Sequence, residues 1–407
     1  MAEAAQHPWK TDDWWTSGYN FDDAVRKPQR FPAKVELHDV TLRDGEQTPA
    51  VVFTKEEKLE IALKLDEAGV HRIEAGMPAV SAEDRAAVAE IARRATNSQI
   101  FSFCRARKED VDAALDCDVQ GVVLEIPALS ERLKVIGLTV ETAARAAVEV
   151  IEYAKSHGLF VVFFPYDTTR SDWGAVSTMI RAGESAHADR LAVVDTAGAA
   201  SPEGFALLVD RAREATKTPL EVHCHNTLSL GVADTIAGLR AGAVAAHASV
   251  NGIGEGAGNA ALEEVAVALK LLYGVDTGVD LKKLHEASRL VEAASKIPTP
   301  VNKPVFGSNI FRRESGIVVE RYYKMPEVAR QLELFNPAWF AGETEVVLGK
   351  KSGKYSILYM LRKKGITASD EQVKAMLDEV KARATAKKDI LTDAEFDAIA
   401  AKVLGHR

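Results

Sequence analysis

The sequence predicts an α/β protein, a (β/α)8 TIM barrel followed by a mainly helical C-terminal region. Between residues 34 and 275, short runs of β-branched and aromatic residues alternate with longer stretches of helical period. Eight such pairs occur, each roughly 30 residues long, as expected for parallel strands joined by right-handed helical crossovers. An open doubly wound sheet is the alternative. Its first strand normally leads into a glycine-rich phosphate turn, whereas here the first strand leads into TLRDGEQTP.

Predicted strands and helices alternate in order through the barrel. The strand candidates lie at 34–40, 71–76, 99–104, 121–126, 159–164, 190–195, 219–224 and 245–251. The helix candidates lie at 55–69, 82–95, 108–116, 139–157, 174–187, 202–215, 228–242 and 259–273. Capping patterns mark where some helices begin, as at Thr54 followed by Glu57 and at Ser81 followed by Asp84.

The barrel leaves a segment at each end of the chain. Residues 1–33 are polar, contain three tryptophans and show no periodic run, so we expect an irregular arm packed on a protein surface. After residue 275 the alternation stops, and residues 277–300 and 353–407 are helical in pattern. The predicted domains are an arm at 1–33, a catalytic barrel at 34–275 and a helical subdomain at 276–407.

Composition and charge exclude several classes of protein. The 407 residues are 47% hydrophobic and 27% charged, which is typical of a globular chain, and no stretch reaches the ~18 uncharged apolar residues of a membrane span. The net charge of −8 disfavours nucleic acid as a partner. The three cysteines are widely spaced, so neither a disulfide framework nor a structural zinc site is expected. With no signal pattern at the N-terminus, we expect a cytoplasmic protein without a membrane partner.

Polar side chains are frequent at the carboxyl ends of the predicted strands and in the loops after them. These are the places from which an α/β barrel draws its catalytic groups. In strand order they are Arg43, Asp44 and Gln47, then Glu74, then Cys104 and Arg105, then Glu125, then Tyr166 and Asp167, then Asp195 and Thr196, then His223, His225 and Asn226, and finally Asn251, Glu255 and Asn259. We therefore expect the active site at this end of the barrel.

The pair His223 and His225 indicates a metal site. Alternate residues of a strand point to the same side, so both imidazoles can project together at the mouth of the barrel. Together with Asp44, and with an asparagine as a possible further ligand, they would bind a divalent metal and leave positions open for water or substrate, as in a catalytic site. The alternative is that the two histidines are hydrogen-bonded barrel residues without a metal.

Two features next to this set suggest a charge-stabilising site. Arg43 precedes Asp44, and a guanidinium beside a metal-bound oxyanion can stabilise an enolate because it does not deprotonate. The alternative for Arg43 is a surface ion pair with Asp39 or Glu46. The glycine-rich run at 252–259 would let backbone amides approach an anion at a helix N-terminus. Its alternative is a set of glycines that only allow tight packing.

Nine short motifs follow one another in order over residues 34–355. They are LRDGEQ at 42–47, FTKEEK at 53–58, IEAGMP at 73–78, DTAG at 195–198, HCHN at 223–226, GIGEGAGN at 252–259, NKP at 302–304, ESGI at 314–317 and LGKKSG at 348–353. Together they resemble the homocitrate synthase / 2-isopropylmalate synthase family of metal-dependent TIM barrels.

The resemblance implies an activity and roles for several site residues. Members of that family hold a 2-oxo acid on a divalent metal (Mg, Mn or Zn) through its carboxylate and ketone. The enolate of an acyl-CoA, usually acetyl-CoA, then attacks the ketone before the thioester is hydrolysed. The resemblance implies metal ligation by Asp44, His223 and His225, with Asn259 nearby or ligating, polarisation of the ketone by Arg43, a place near the acyl group for Gln47, and binding of the oxo-acid carboxylate by Thr196. From their places at the strand ends we also expect catalysis by Tyr166 and Glu255, and substrate binding by Glu74 and Asn226.

Three positions depart from the family pattern. The family reads Ser-Pro-Glu after the fifth strand, where this chain has Phe164-Pro165-Tyr166. A histidine that follows Glu-Ser-Gly-Ile in the family is Val318 here, and a tyrosine expected further along is Leu332, although Tyr322 and Tyr323 are close in sequence. The half of the site that forms the enolate therefore differs, which implies another base or another reaction.

The predicted function is a metal-dependent Claisen-type condensation of an acyl-CoA, with acetyl-CoA the expected donor, and a 2-oxo acid. One alternative is an aldolase or retro-Claisen lyase on the same metal, which Val318 and Leu332 favour. Another is a barrel that binds metal and ligand without catalysis, and Arg43 argues against it because binding alone needs no enolate stabiliser. The expected partners are small molecules, and the expected assembly is a homodimer whose C-terminal segment contributes to the partner's site.

Overall fold

The computed structural model describes residues 8–340 and 342–405, and these form two compact units. The larger unit is Tyr19–Thr299, and the smaller combines the residues before 19 with those from 300 onward. The divisions thus differ from the expected boundaries at 33/34 and 275/276. The physical reason is packing: helix Leu281–Ser295, on the C-terminal side of the expected boundary, packs against helix Lys55–Glu67 of the barrel.

The larger unit contains a closed barrel of eight parallel strands in chain order, which confirms the predicted TIM barrel. The strands are β1 Glu36–Asp39, β2 Arg72–Gly76, β3 Gln99–Arg105, β4 Gly121–Pro127, β5 Phe160–Tyr166, β6 Arg190–Asp195, β7 Leu220–Cys224 and β8 Ala245–Ala248. Strands β1 and β8 close the barrel, with Glu36 opposite Ala245 and Asp39 opposite Ala248.

Helices surround the barrel in the predicted order. They are α1 Asp23–Arg26, α2 Lys55–Glu67, α3 Ala82–Arg94, α4 Lys108–Leu115, α5 Ser130–Val135, α6 Val140–Ser156, α7 Trp173–Ser185, α8 Pro202–Ala215, α9 Gly231–Arg240, α10 Leu262–Ala268 and α11 Leu281–Ser295. The hydroxyl of Thr54 accepts a hydrogen bond from the backbone N–H of Glu57, and that of Ser81 accepts one from Asp84, so both predicted helix starts are confirmed. Helices α1 and α5 were not predicted, and α5 begins without a side-chain cap.

Alternate residues along the barrel strands change from apolar to polar toward the carboxyl ends. The apolar layer consists of Phe101, Phe103, Val123, Val162, Phe164, Ala192 and Val194, which pack together as one buried cluster. The next inward-facing positions, two residues further along three of these strands, are Glu125, Tyr166 and Thr196. The apolar layer therefore forms the floor beneath a polar mouth.

The smaller unit is mainly helical, as predicted. Its helices are α12 Gly316–Lys324, α13 Pro326–Gln331, α14 Lys354–Lys363, α15 Asp370–Lys387 and α16 Asp393–Leu404, and the short strands β9 Arg312–Arg313 and β10 Glu345–Val346 pair in parallel. Helices α14 to α16 enclose an apolar core that includes Ile357, Met376 and Phe396. No helix in the described part of the chain is long and apolar enough to cross a membrane.

The predicted N-terminal arm is divided between the two units. In the smaller unit, the backbone N–H of Trp15 donates to the carbonyl of Leu334, and Trp14 packs edge-on against Trp339 at 5.7 Å between ring centroids. In the larger unit, Arg26 of α1 donates to a backbone carbonyl of the barrel. Residues 1–7 of the predicted arm lie outside the described residues.

Candidate active site

A cavity of about 330 Å³ opens at the carboxyl ends of the barrel strands. Its apolar wall is formed by Met77, Phe103, Phe164 and Val194, and its polar lining includes Arg43, Asp44, Gln47, Glu125, Arg132, Tyr166, Thr196, His223, His225 and Glu255. Eight of the eleven predicted site residues therefore meet around one cavity. The other three are Glu74, Asn226 and Asn259.

Asp44, His223 and His225 converge at the base of this cavity. The Asp44 Oδ2 atom lies 3.5 Å from His223 Nε2 and 3.6 Å from His225 Nε2, and the candidate ligand atoms of all three residues lie within 4.8 Å of one another. Donor atoms at about 2.0–2.2 Å from one tetrahedral ion are separated from each other by about 3.4 Å. The spacing therefore fits a divalent metal ion between the three side chains.

The protonation states in this set also suit a metal. Burial lowers the pKa of His223 well below its ordinary value, so its imidazole is neutral and offers a lone pair. Burial opposes ionisation of Asp44, but the Arg43 guanidinium and the two histidines outweigh it and hold the pKa of that carboxyl well below its usual range. The result is a carboxylate with a neutral imidazole beside it, a donor set that binds divalent transition metals or magnesium.

Asn259 adds an unpaired oxygen next to Asp44. Its Oδ1 atom is buried and accepts no hydrogen bond from any described residue, while its Nδ2 donates to the carbonyl of Ile253 at 3.2 Å. A Cβ atom at Gly254 would lie 2.3 Å from Asn259 Nδ2 and 3.2 Å from Asp44 Oδ1, so only glycine fits there. The loop thus holds the amide near the carboxylate, where its free oxygen could serve as a further ligand.

Arg43 is buried and uses two of its three nitrogens on protein partners. Its Nε donates to Glu74 Oε2 at 2.7 Å and its NH1 to Asp44 Oδ2 at 2.9 Å, so its alternative interpretation as a surface ion pair with Asp39 or Glu46 is wrong. The NH2 nitrogen is buried and has no partner among the described residues. A fixed guanidinium with one free donor therefore lies beside the Asp44 carboxylate.

Glu74 lies behind Arg43 and does not line the cavity. Its side chain is fully buried, and its other oxygen lies 3.2 Å from His38 Nε2. Burial alone would raise the pKa of Glu74, but Arg43 and His38 bring it down to about 2. The structure thus places Glu74 as a partner of Arg43, whereas the sequence analysis expected it to contact substrate.

The remaining predicted residues differ in their surroundings. The Thr196 hydroxyl lines the cavity and accepts a hydrogen bond from the backbone N–H of Asp167 at 2.8 Å. Tyr166 is half-buried, and burial together with the neighbouring Glu125 raises the pKa of its phenol. Glu255 is exposed at the rim. Asn226 faces elsewhere, because its Oδ1 accepts from the backbone N–H of Gly231 at the start of α9.

Two charged residues that line the cavity were outside the predicted set of site residues. Arg132 comes from the unpredicted helix α5, and its Nε donates to Asp167 Oδ2 at 2.6 Å while its guanidinium lies 5.3 Å from the Tyr166 ring centre. Glu125 stood among the polar strand ends but received no role. Its signal in the sequence is a single carboxyl in an otherwise apolar strand.

A second buried cluster lies deeper in the barrel and contains His38, Glu221 and His247. The Arg72 guanidinium already contacts Glu221, at 2.6 Å, and His247 Nε2 lies 2.9 Å from the other carboxylate oxygen. The His38 and His247 rings stack at 4.3 Å, and burial lowers the pKa of His38 to about 4. Because an arginine already pairs with its carboxylate and none of its residues lines the cavity, this cluster is an ion network of the barrel interior.

Comparison with solved structures identifies the fold. The HMG-CoA lyase of Bacillus subtilis superposes with a TM-score of 0.61 at 20% sequence identity and covers 68% of this chain and 98% of that chain. The carboxyl transferase domain of Rhizobium etli pyruvate carboxylase superposes with a TM-score of 0.51 at 20% identity, covering 64% of this chain and 48% of that chain. At such identities the likeness shows a shared barrel fold.

Comparison with known sequences shows closer relatives. Homocitrate synthase AksA of Methanothermobacter thermautotrophicus is 43% identical over 86% of this chain and 90% of its own length. The probable 2-isopropylmalate synthase of Ignicoccus hospitalis is 45% identical over 87% and 88%, and (R)-citramalate synthase CimA of Methanocaldococcus jannaschii is 42% identical over 91% and 75%. The HMGL-like family profile matches residues 34–291. The chain therefore belongs to the HMGL-like family, as a relative of the homocitrate, 2-isopropylmalate and citramalate synthases.

Proposed function

We propose that the chain is an acyltransferase that condenses an acyl-CoA, with acetyl-CoA the first candidate, with a 2-oxo acid. The observation that carries this proposal is the free NH2 donor of Arg43 beside the Asp44, His223 and His225 set. A pure binding site would not need a buried guanidinium with an unused donor. The names of the three relatives given above, all synthases, support the same reaction.

A divalent metal, Mg, Mn or Zn, would be held by Asp44, His223, His225 and Asn259. When bound, it would supply Lewis acidity toward the ketone of the 2-oxo acid. Arg43 would donate its free N–H to the ketone oxygen, where negative charge develops during carbon–carbon bond formation. Such a donor, fixed in place before the reaction, stabilises the transition state more than the ground state.

Other cavity residues would position the substrates. The Thr196 oxygen already accepts a hydrogen bond, so its O–H proton is free to be donated to the carboxylate of the oxo acid. Gln47 and Tyr166 offer further hydrogen bonds along the same wall, and Glu255 at the rim is an acid–base candidate. Glu74 would act by holding Arg43, and Asn226 by fixing the loop before α9.

A thiol-release assay tests the proposal. Purified protein with a divalent metal, acetyl-CoA and a panel of 2-oxo acids should release free coenzyme A only when one of the oxo acids is present. Release of pyruvate from 4-hydroxy-2-oxo acids, without thiol release, would support the lyase alternative instead. Binding of metal and oxo acid without either reaction would support the non-catalytic alternative.

We also propose a homodimer to which the C-terminal segment contributes active-site residues. The support is a group of large apolar side chains exposed in the smaller unit: Ile317, Met325, Leu332 and Leu334. Light scattering should give twice the mass of the chain, and an active monomer would contradict this proposal. We further propose a cytoplasmic location, which the three unpaired cysteines support.

A further inference from the structure

One acidic side chain of the cavity stands in an otherwise apolar strand. Strand β4, Gly121–Pro127, is otherwise apolar and mostly buried, and its single ionisable residue is Glu125. Val123, the preceding inward-facing residue, packs in the apolar floor with Phe103 and Phe164. Glu125 therefore stands directly above that floor and lines the cavity. A carboxyl in this position costs free energy that a leucine or valine would not.

The surroundings of Glu125 leave its carboxylate unpaired. No described residue donates a hydrogen bond to it. The charged and titratable groups that face it are Arg43, Arg105, Asp110, Asp44 and Tyr166. Burial raises its pKa above the ordinary value, although Arg43 and Arg105 act in the opposite direction, and Arg105 is itself paired with Asp110. Glu125 is thus a more basic carboxylate than one on the surface.

The other ionisable groups around the cavity are poorly suited to accept a proton from carbon. Asp44, His223 and His225 are assigned to the metal. Burial raises the pKa of Tyr166 above that of an ordinary phenol, so it is protonated at neutral pH. Glu255 is exposed to water at the rim, where nothing raises its basicity through burial.

We propose that Glu125 is the general base that removes the α-proton of the acyl-CoA; this inference rests on the proposed condensation. The α C–H bond breaks, its proton passes to the Glu125 carboxylate, and its electron pair forms the new bond to the ketone carbon. The ketone π pair moves onto the oxygen beside Arg43. That oxygen then takes the proton from the Glu125 carboxylic acid, which restores the carboxylate, and water later cleaves the thioester.

The test compares Glu125→Gln with the wild type in full-length, metal-loaded protein. Glutamine keeps the shape but cannot accept the proton, so kcat should fall by about 10²–10⁴. The KM for the oxo acid should change by no more than about threefold, since the ground state is untouched. The kinetic isotope effect with methyl-deuterated acetyl-CoA should rise, because proton removal becomes rate-limiting. In Glu125→Ala, added formate should restore part of the rate by supplying a carboxylate.

Controls separate this role from folding and from binding. Glu131→Gln makes the same charge change on the exposed face of α5 and should leave kcat unchanged. Cooperative thermal unfolding near the wild-type temperature shows that Glu125→Gln is folded. The inference would be overturned if the wild type is active and Glu125→Gln keeps kcat within about tenfold of the wild-type value. A change in KM alone would overturn it as well. A wild type that releases no thiol with any oxo acid would overturn the proposed condensation and this inference together.

Discussion

Replacing Arg43 with lysine tests whether the guanidinium stabilises developing negative charge. In the wild type, Nε contacts Glu74, NH1 contacts Asp44, and NH2 has no partner among the described residues, which leaves it for the proposed contact with the substrate. Arg43→Lys keeps the positive charge but leaves a single nitrogen on a flexible stem. One ammonium group cannot meet two carboxylates and a ketone oxygen in the directions that the planar guanidinium uses.

The size of the effect follows from these contacts. Loss of a preorganised donor to the oxyanion costs about 2.7–4 kcal/mol, which is about 10²–10³ in kcat. The Arg43 side chain is 5% exposed, so solvent screens the interaction little. The free energy of unfolding should also fall, by about 1.5–3 kcal/mol, because one buried charged hydrogen bond is lost.

Steady-state kinetics of thiol release measure this prediction. We expect kcat and kcat/KM to fall by the same factor, as for an interaction made only in the transition state. Arg181→Lys, at an exposed position of α7, is the matched control and should behave as wild type. If Arg43→Lys raised KM and left kcat unchanged, Arg43 would bind substrate uniformly, and the argument from its free donor would be refuted.

Two further predictions concern the supports of the site. Gly254→Ala should lower the metal content, because the added Cβ would lie 2.3 Å from Asn259 Nδ2. The control Gly204→Ala, within a helix, should keep the wild-type metal content. Full metal content in Gly254→Ala would contradict the prediction. The pKa of Glu74 falls from an ordinary 4.5 to about 2 beside Arg43, so its stabilisation is complete above pH 4.5 and is lost as the pH falls toward 2. We therefore expect the free energy of unfolding, measured in urea, to fall less between pH 4.5 and 2 in Glu74→Gln than in the wild type. An equal dependence on pH in the two proteins would contradict the pairing of Glu74 with Arg43.

Much of the barrel could be predicted from the sequence because its signals are local. Each strand is a short apolar run, and the alternation of side chains along β7 is enough to place His223 and His225 on one side. The metal set also required Asp44 to approach them, which depends on the contact between β1 and β8. The number of βα units suggests that β1 pairs with β8 and closes the barrel. The structure confirms this closure.

Some features of the site could not be predicted, because they depend on how deeply a side chain is buried and on tertiary packing. Glu74 and Glu125 both face inward near the carboxyl ends of strands, yet Glu74 is buried behind Arg43 while Glu125 reaches the cavity. Nothing in their local sequence distinguishes the two depths. Arg132 was missed because helix α5 is short and begins without a cap. Asn226 was assigned to substrate from its place after β7, but its side chain pairs with the backbone of α9.

The metal content of the purified protein tests the central claim most directly. Elemental analysis of the wild type should find one divalent ion per chain, for which Asp44, His223 and His225 would be ligands. The double variant His223→Ala/His225→Ala should contain none, while its unfolding stays cooperative because the barrel core does not include the ion. Full metal occupancy in the double variant would contradict the assignment of the centre and the reaction proposed on it.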